Sequence, residues 1–104
     1  MPNARIEPLK KVLAIDPNDD VAWFGLGKAH MEDASWEEGV QALERCITVK
    51  PSYSAAYLAL AQCLQQLGRT DECRRCCDRG IEVSTANGDH MVTKNLTALK
   101  DGLG

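Results

Sequence analysis

The 104-residue sequence matches itself when it is shifted by 34 positions. The paired positions keep their size class, and they include Trp23 with Tyr57, Leu26 with Leu60, Ile47 with Ile81 and Pro17 with Pro51. A period of this length is typical of proteins that stack one supersecondary unit on the next, because a single unit cannot bury its apolar face alone. The chain is therefore predicted to be a short stack of repeats.

The apolar residues inside each unit have the spacing of helices. Trp23, Leu26 and Gly27 form one stripe, and Val40 and Leu43 belong to a second stripe after a break. We predict helices near residues 4–15, 20–32, 36–48, 54–66, 70–85 and 89–102, and no strand. The residues predicted to be largely buried are Trp23, Leu26, Leu43, Ile47, Tyr57, Leu60, Leu64 and Ile81.

Turn residues separate the predicted helices. Ser35, followed by Glu38 three residues later, has the spacing of a capping box that begins a helix. Gly68 is expected to end a helix in the left-handed conformation. Thr70 is expected to cap the helix that follows.

One domain is predicted over residues 1–104, and the repeat divides it into four parts. Residues 1–19 have the pattern of the second half of a repeat whose first half is missing. Two full repeats follow, and then a capping helix whose apolar residues fit the repeat only if one residue has been inserted before them. The remaining boundaries are 20–53 for the first repeat, 54–87 for the second and 88–104 for the capping helix.

Composition narrows the class of partner. The net charge is −3 and the two signs are interspersed, which argues against a nucleic-acid partner. No apolar run is long enough to span a bilayer, so no membrane partner is expected. The first residues lack the apolar segment of a secretory signal, and five cysteines without an export signal favour a reducing compartment. A cytoplasmic location is expected.

The residues that recur at fixed offsets resemble the signature of the tetratricopeptide repeat (TPR) family. The matching positions are Trp23, Leu26, Gly27, Gly39, Leu43, Cys46 and Pro51. Departures from the family pattern occur at His30, Ala34, Leu64 and Cys77. The resemblance implies an all-α, right-handed superhelix of helical hairpins with a C-terminal capping helix. It also implies a scaffold or adaptor for protein binding, similar to small stand-alone bacterial TPR proteins of undefined function.

The same resemblance implies a concave groove lined by the first helix of each hairpin. The expected partner-binding residues are Val21, Phe24, Lys28, Met31, Leu58, Gln62, Gln65, Thr93, Thr97 and Lys100. Phe24, Met31 and Leu58 have no evident role inside a hairpin, so we expect them to bury apolar side chains of a protein or peptide partner. Replacing Phe24 is then expected to weaken binding with little effect on stability.

The cysteines allow a different function. Cys73 and Cys76 begin a helix, where the helix dipole lowers thiol pKa values, and Cys77 could join them as a redox or metal-binding set. Most of the cysteines, however, occupy repeat positions that hold core residues, and cysteine is a small residue that is readily buried. We favour structural cysteines, with Cys46, Cys63 and Cys73 buried, Cys76 the most accessible, and no disulfide, metal or other cofactor.

Two further expectations concern catalysis and assembly. The sequence contains no phosphate-binding glycine loop, nucleophile motif or pair of catalytic carboxylates, so an enzyme is not expected. The incomplete first repeat could instead complete itself against a second copy of the chain, as a homodimer. This leaves a structural homo-oligomer as an alternative to the adaptor.

Overall fold

The computed structural model describes residues 3–104, and over this range the chain forms six α-helices and no strand. The helices are α1 (Ile6–Ile15), α2 (Asp20–Glu32), α3 (Trp36–Val49), α4 (Ser54–Gln66), α5 (Thr70–Asn87) and α6 (His90–Asp101). Each end lies within two residues of its predicted position. The all-α fold class predicted from the repeat is confirmed.

The helices stack in chain order. α2 packs on α3 and α4 packs on α5, which forms two hairpins, and α3 joins the hairpins by packing on α4. The first helices of successive units are also in contact, α2 with α4 and α4 with α6. Among the described helices, α1 packs on α2 alone. The core therefore runs along the stack rather than around one centre.

Burial follows the predicted stripes. Leu26, Leu43, Tyr57, Leu60 and Leu64 are buried as predicted. Trp23, Ile47 and Ile81 are packed against the core but keep a part of their surface exposed. The second helices α1, α3 and α5 make no contact with one another, so the sides that they turn towards each other stay open. Trp23 lines the opening between α1 and α3, and Ile47 lines the one between α3 and α5.

Two equivalent aromatic residues tie each first helix to the turn before it. The indole N–H of Trp23 donates to the carbonyl of Pro17 at 2.8 Å. One repeat later, the hydroxyl of Tyr57 donates to the carbonyl of Pro51 at 2.7 Å. The recurrence of Pro and Trp or Tyr in the sequence thus has a shared physical cause, since each aromatic side chain supplies the polar atom that the turn carbonyl needs.

The turns depart from the predicted capping pattern. The carboxylate of Asp19 accepts from the N–H of Ala22 at 3.0 Å and caps α2. Ser35 precedes α3 as predicted, but its side chain makes no capping hydrogen bond. The expectation for Thr70 was wrong by one position, because α5 begins at this residue and Arg69 precedes it. A backbone bond from the N–H of Arg69 to the carbonyl of Leu64 closes that turn at 3.0 Å instead.

Left-handed backbone ends helices at two equivalent positions. Gly68 follows α4 with φ of 72°, as predicted, and Ala34 stands 34 residues earlier with φ of 57°. Alanine in this region brings its Cβ close to a carbonyl oxygen, at a cost of roughly 1–2 kcal/mol that glycine avoids. Ala34 therefore carries local strain that its counterpart lacks.

We expect Ala34→Gly to raise the free energy of unfolding by about 0.5–1 kcal/mol, since relief of this strain exceeds the extra chain entropy of glycine. The reciprocal change, Gly68→Ala, should lower it by a similar amount, because a Cβ at Gly68 meets no atom within 4 Å and only the backbone is strained. Urea denaturation of both variants measures the two changes. A loss of stability in both would contradict the strain at Ala34.

Over residues 3–104, no helix has the length and apolar character needed to cross a bilayer.

Candidate functional site

The candidate site is built on the first helices of the units, which are neighbours in space. Because α2 contacts α4 and α4 contacts α6, equivalent positions on these helices follow one another along the stack. Seven of the ten predicted binding residues lie on α2 and α4 and are half-buried or exposed. Apart from Val21, they are Phe24, Lys28, Met31, Leu58, Gln62 and Gln65. We call these six residues the α2–α4 surface.

The apolar members of this surface also support the fold. The ring of Phe24 stacks on the ring of Tyr53, with centroids 5.0 Å apart. Met31 lies against the close approach of α2 and α3, where a Cβ added to Gly39 would be 3.6 Å from its Cγ. Leu58 packs against the main core cluster. The expectation that these side chains have no role inside a hairpin was wrong for Met31, which lies between α2 and α3, and each of the three leaves only part of its surface open.

Tyr53 supports the α2–α4 surface through Phe24, although comparing one repeat with the next does not predict this role. It lies in the turn before α4, and the ammonium of Lys50 is 5.9 Å from its ring centroid. Its counterpart one repeat earlier is Asp19, so the period predicts no aromatic residue at this place. The sequence shows an aromatic residue two positions after Pro51, but this does not identify Phe24 as its partner.

Two of the three predicted residues of α6 contact α5, whereas Thr97 is exposed and bonds within its own helix. The hydroxyl of Thr93 lies 2.6 Å from the hydroxyl of the buried Ser84. The ammonium of Lys100 pairs with Asp78 at 2.5 Å, and the hydroxyl of Thr97 donates to the backbone carbonyl of Thr93 at 2.8 Å. The inserted residue before α6 and the greater length of α5, 18 residues against 14 for α3, give this last pair of helices its own geometry.

Val21 belongs to another part of the surface. Its side chain is 64% exposed, and it lines a cavity between α1 and α2 together with residues of α1. Val21 thus lies on α2 but outside the α2–α4 surface, and the three predicted residues of α6, Thr93, Thr97 and Lys100, also lie outside it.

The five cysteines are free thiols in the packed part of the fold. Cys46, Cys63, Cys73 and Cys77 are buried, and Cys76 is the most accessible, as predicted. The thiol of Cys73 donates to the carbonyl of Ala61 at 3.2 Å, and that of Cys76 donates to the carbonyl of Tyr57 at 3.3 Å. These bonds place the cysteines of α5 against α4.

Burial raises the pKa of every thiol. The pKa rises to about 11 at Cys46 and Cys63, and to about 12 at Cys76 and Cys77. The pKa of Cys73 is also raised, mainly by burial, although the residue lies in the first turn of α5. A raised pKa keeps these thiols protonated near neutral pH, and neutral thiols are poor nucleophiles and metal ligands. Within residues 3–104, no three His, Cys, Asp or Glu side chains are grouped as metal ligands.

These pKa shifts predict a loss of stability at alkaline pH. An unfolded thiol has a pKa of about 8.5, so below that pH both states are protonated and the contribution of Cys76 and Cys77 is complete. As the pH rises towards 12, the unfolded state loses protons first, and the free energy of unfolding decreases. Urea denaturation under reducing conditions at pH 7.5 and 10 measures this decrease. The decrease in the free energy of unfolding should be smaller in a Cys76→Ala, Cys77→Ala double variant. The same decrease in the variant and the unmodified chain would contradict the role of these thiols.

The chain was compared with known proteins and structures. The model of the family described as "Tetratricopeptide repeat" matches residues 33–87. A TPR repeat-containing protein of Pseudomonas aeruginosa is 30% identical over 92 residues, which cover 88% of each chain. A protein of Bordetella parapertussis solved in solution has a TM-score of 0.81 at 26% identity, covering 94% of this chain and 85% of that one. The TPR2B-domain:pHsp70 complex of yeast Sti1 has a TM-score of 0.88 at 12% identity, covers 94% of this chain and 78% of that one, and shows likeness of fold alone.

Proposed function

The chain belongs to the tetratricopeptide repeat family, and on this basis we propose that it is a protein-interaction adaptor that binds a partner peptide or helix on the α2–α4 surface. It acts by binding rather than by catalysis. The five free thiols favour a reducing environment such as the cytoplasm. The structural neighbour from yeast is itself a complex with pHsp70, which supports peptide binding as a use of this fold.

The observation that supports this surface most strongly is its mixture of half-buried apolar and accessible polar side chains on two adjoining helices. Phe24, Met31 and Leu58 are held in place by core contacts, so they lose little conformational freedom when a partner covers them. Gln62 and Gln65 carry amide groups that can pair with a peptide backbone. Lys28 is the single charged residue of the six, so apolar contacts and amide hydrogen bonds, and not ion pairs, would supply most of the binding energy.

We expect Phe24→Ala to weaken a bound peptide about tenfold, or roughly 1.4 kcal/mol, because the ring supplies apolar contact area at the centre of the surface. The ligand is a peptide selected from a displayed random library on the immobilised chain. Isothermal titration of the purified variant gives its affinity. The stacking on Tyr53 means that the variant also loses stability, so circular dichroism must show that it is folded at the titration temperature.

Trp36→Ala is the matched control. Trp36 is also a half-buried aromatic residue packed against the main core cluster, but it lies on α3, outside the α2–α4 surface. It should lower the melting temperature and leave peptide affinity unchanged. Equal loss of affinity in both variants would place the binding surface elsewhere or attribute the effect to stability alone.

A further inference from the structure

A second surface of the molecule is open between α1 and α2. Leu9 and Val12 of α1 and Val21 of α2 line a cavity of about 590 Å³. Val12 is 41% exposed and Val21 is 64% exposed, which makes them two of the few large apolar side chains exposed to solvent in residues 3–104. Arg5 and Asp19 also line this cavity, which we call the α1–α2 groove.

The first full repeat, residues 20–53, shows what covers the equivalent surface. Leu43 stands 34 residues after Leu9, and it is fully buried against α2. Its Cγ would lie 2.6 Å from a Cβ added to Gly27, so the contact needs a glycine on the covering helix. Tyr53, the counterpart of Asp19, stacks on Phe24 of the same helix. In this repeat, therefore, α2 occupies the place that is open beside α1.

The second full repeat, residues 54–87, has the same arrangement with other residues. Cys73, the counterpart of Arg5, donates its thiol hydrogen to the carbonyl of Ala61 on α4 at 3.2 Å. Gly80, the counterpart of Val12, lies where an added Cβ would be 2.7 Å from the Cβ of Tyr57, also on α4. In both full repeats, the first helix of the hairpin (α2 or α4) covers this surface. The α1–α2 groove is an extension of the same interface.

We propose that the α1–α2 groove binds an amphipathic α-helix of a partner protein, which lies beside α2 as α2 lies beside α4 and carries a glycine or another small residue opposite Leu9. This site lies apart from the α2–α4 surface and adds a second binding function to the adaptor. The partner helix completes the repeat to which α1 belongs.

The charges at the two ends of the groove suit a helix that runs parallel to α2. Asp19 lies at the N-terminal end of α2, and Arg5 pairs with Glu32 at its C-terminal end. A parallel helix would bring its positive N-terminal end near Asp19 and its negative C-terminal end near Arg5, and both arrangements are favourable.

A second copy of the chain is a poorer fit. The helix that ends the stack is α6, and with the one-residue insertion Leu96 stands where α2 has Gly27. Leu96 is already fully buried, and it lies against α5, where a Cβ added to Gly80 would be 2.6 Å from its Cδ1. A leucine opposite Leu9 would repeat the clash that the glycine avoids, so the occupant is a helix with a small residue at this place.

The test uses a synthetic peptide with the sequence of residues 17–34, because α2 is the helix that covers Leu43 in this chain. Fluorescence anisotropy of the labelled peptide, titrated with the full chain, should show saturable binding. A peptide with Gly27→Leu should bind at least tenfold more weakly. In the protein, Val12→Glu should also weaken binding at least tenfold.

Ile15→Glu is the matched control, because Ile15 is 87% exposed on the same helix but does not line the groove. It should leave binding unchanged, and so should Phe24→Ala in the protein, which separates this groove from the α2–α4 surface. A second measurement detects binding that is too weak for the titration. The same peptide is fused through a flexible Gly-Ser linker before residue 1, which raises its effective concentration at the groove. The fusion should raise the melting temperature, and the fusion that carries Gly27→Leu should not.

Three outcomes would overturn the proposal. The first is equal binding and equal melting temperatures with the two peptides. The second is an equal effect of Val12→Glu and Ile15→Glu. The third is concentration-dependent dimerisation of the unmodified chain in sedimentation experiments that Val12→Glu abolishes, since this would make a second copy the occupant. Failure of the Phe24→Ala titration would affect only the α2–α4 surface.

Discussion

Replacing Leu43 with alanine is expected to lower the free energy of unfolding by roughly 2–5 kcal/mol. Leu43 has no exposed surface and lies in the main core cluster. The loss combines the transfer free energy of the removed atoms with the cost of the cavity that they leave, and the close backbone of α2 at Gly27 limits how far the surroundings can collapse. Urea denaturation of the variant gives the change directly.

A double-mutant cycle with Gly27→Ala tests the cause of this effect. Alone, Gly27→Ala should destabilise the protein, because the added Cβ would lie 2.6 Å from Cγ and 2.7 Å from Cδ2 of Leu43. In the Leu43→Ala background the same methyl group enters the vacated space, so the double variant should lose less stability than the two single variants together. Strict additivity would show that the two residues do not share a contact.

The second large effect is expected at Gly80. A Cβ at this position would lie 2.6 Å from Cδ1 of Leu96 and 2.7 Å from Cβ of Tyr57, and neither the buried leucine nor the first carbon of the tyrosine has room to move. Gly80→Ala should therefore cost about 1–3 kcal/mol through overpacking, even though alanine is the better helix former. Thermal and urea denaturation measure the loss.

Gly25→Ala is the control for this substitution. Gly25 also lies inside a helix, but an added Cβ would be 3.4 Å from Leu9, which is an ordinary contact. Without a clash, the helix propensity of alanine should raise stability by roughly 0.5–1 kcal/mol. If the change in stability has opposite signs at the two glycines, the effect of close packing is separated from that of helix propensity. A gain of stability from Gly80→Ala would contradict the contact between α4, α5 and α6.

The helices could be predicted because their signals are local and repeated. Two copies of the same pattern define the bounds of α2 to α5, and the left-handed Gly68 ends α4 where its sequence indicates. Burial was predicted less well at Trp23 and Ile47. Periodicity tells which side of a helix is apolar, but it does not tell that the second helices stand apart and leave this side open.

The candidate site was harder to predict because its contacts join residues outside the repeat pattern. Phe24 stacks on Tyr53, which has no aromatic counterpart in the preceding unit. Thr93 bonds to Ser84 through a hydroxyl pair that no spacing rule indicates. The position of Cys73 in its helix left a lowered thiol pKa open as an alternative, but its pKa is raised by burial, which is a tertiary property.

The single interface of α1 has a consequence for motion. α6 contacts both α4 and α5, whereas α1 is joined to the rest of the described chain through α2 alone, with Asn3 and Arg5 bonded to the end of that helix. Local opening can then release α1 while α3 to α6 keep all their contacts. The backbone amides of α1 would exchange with solvent deuterium sooner than those of α4, which is packed between neighbours on both sides. A ligand that covers α1 would slow this exchange. The edge of the stack that opens most readily is therefore also the place where an added helix would stabilise the fold most.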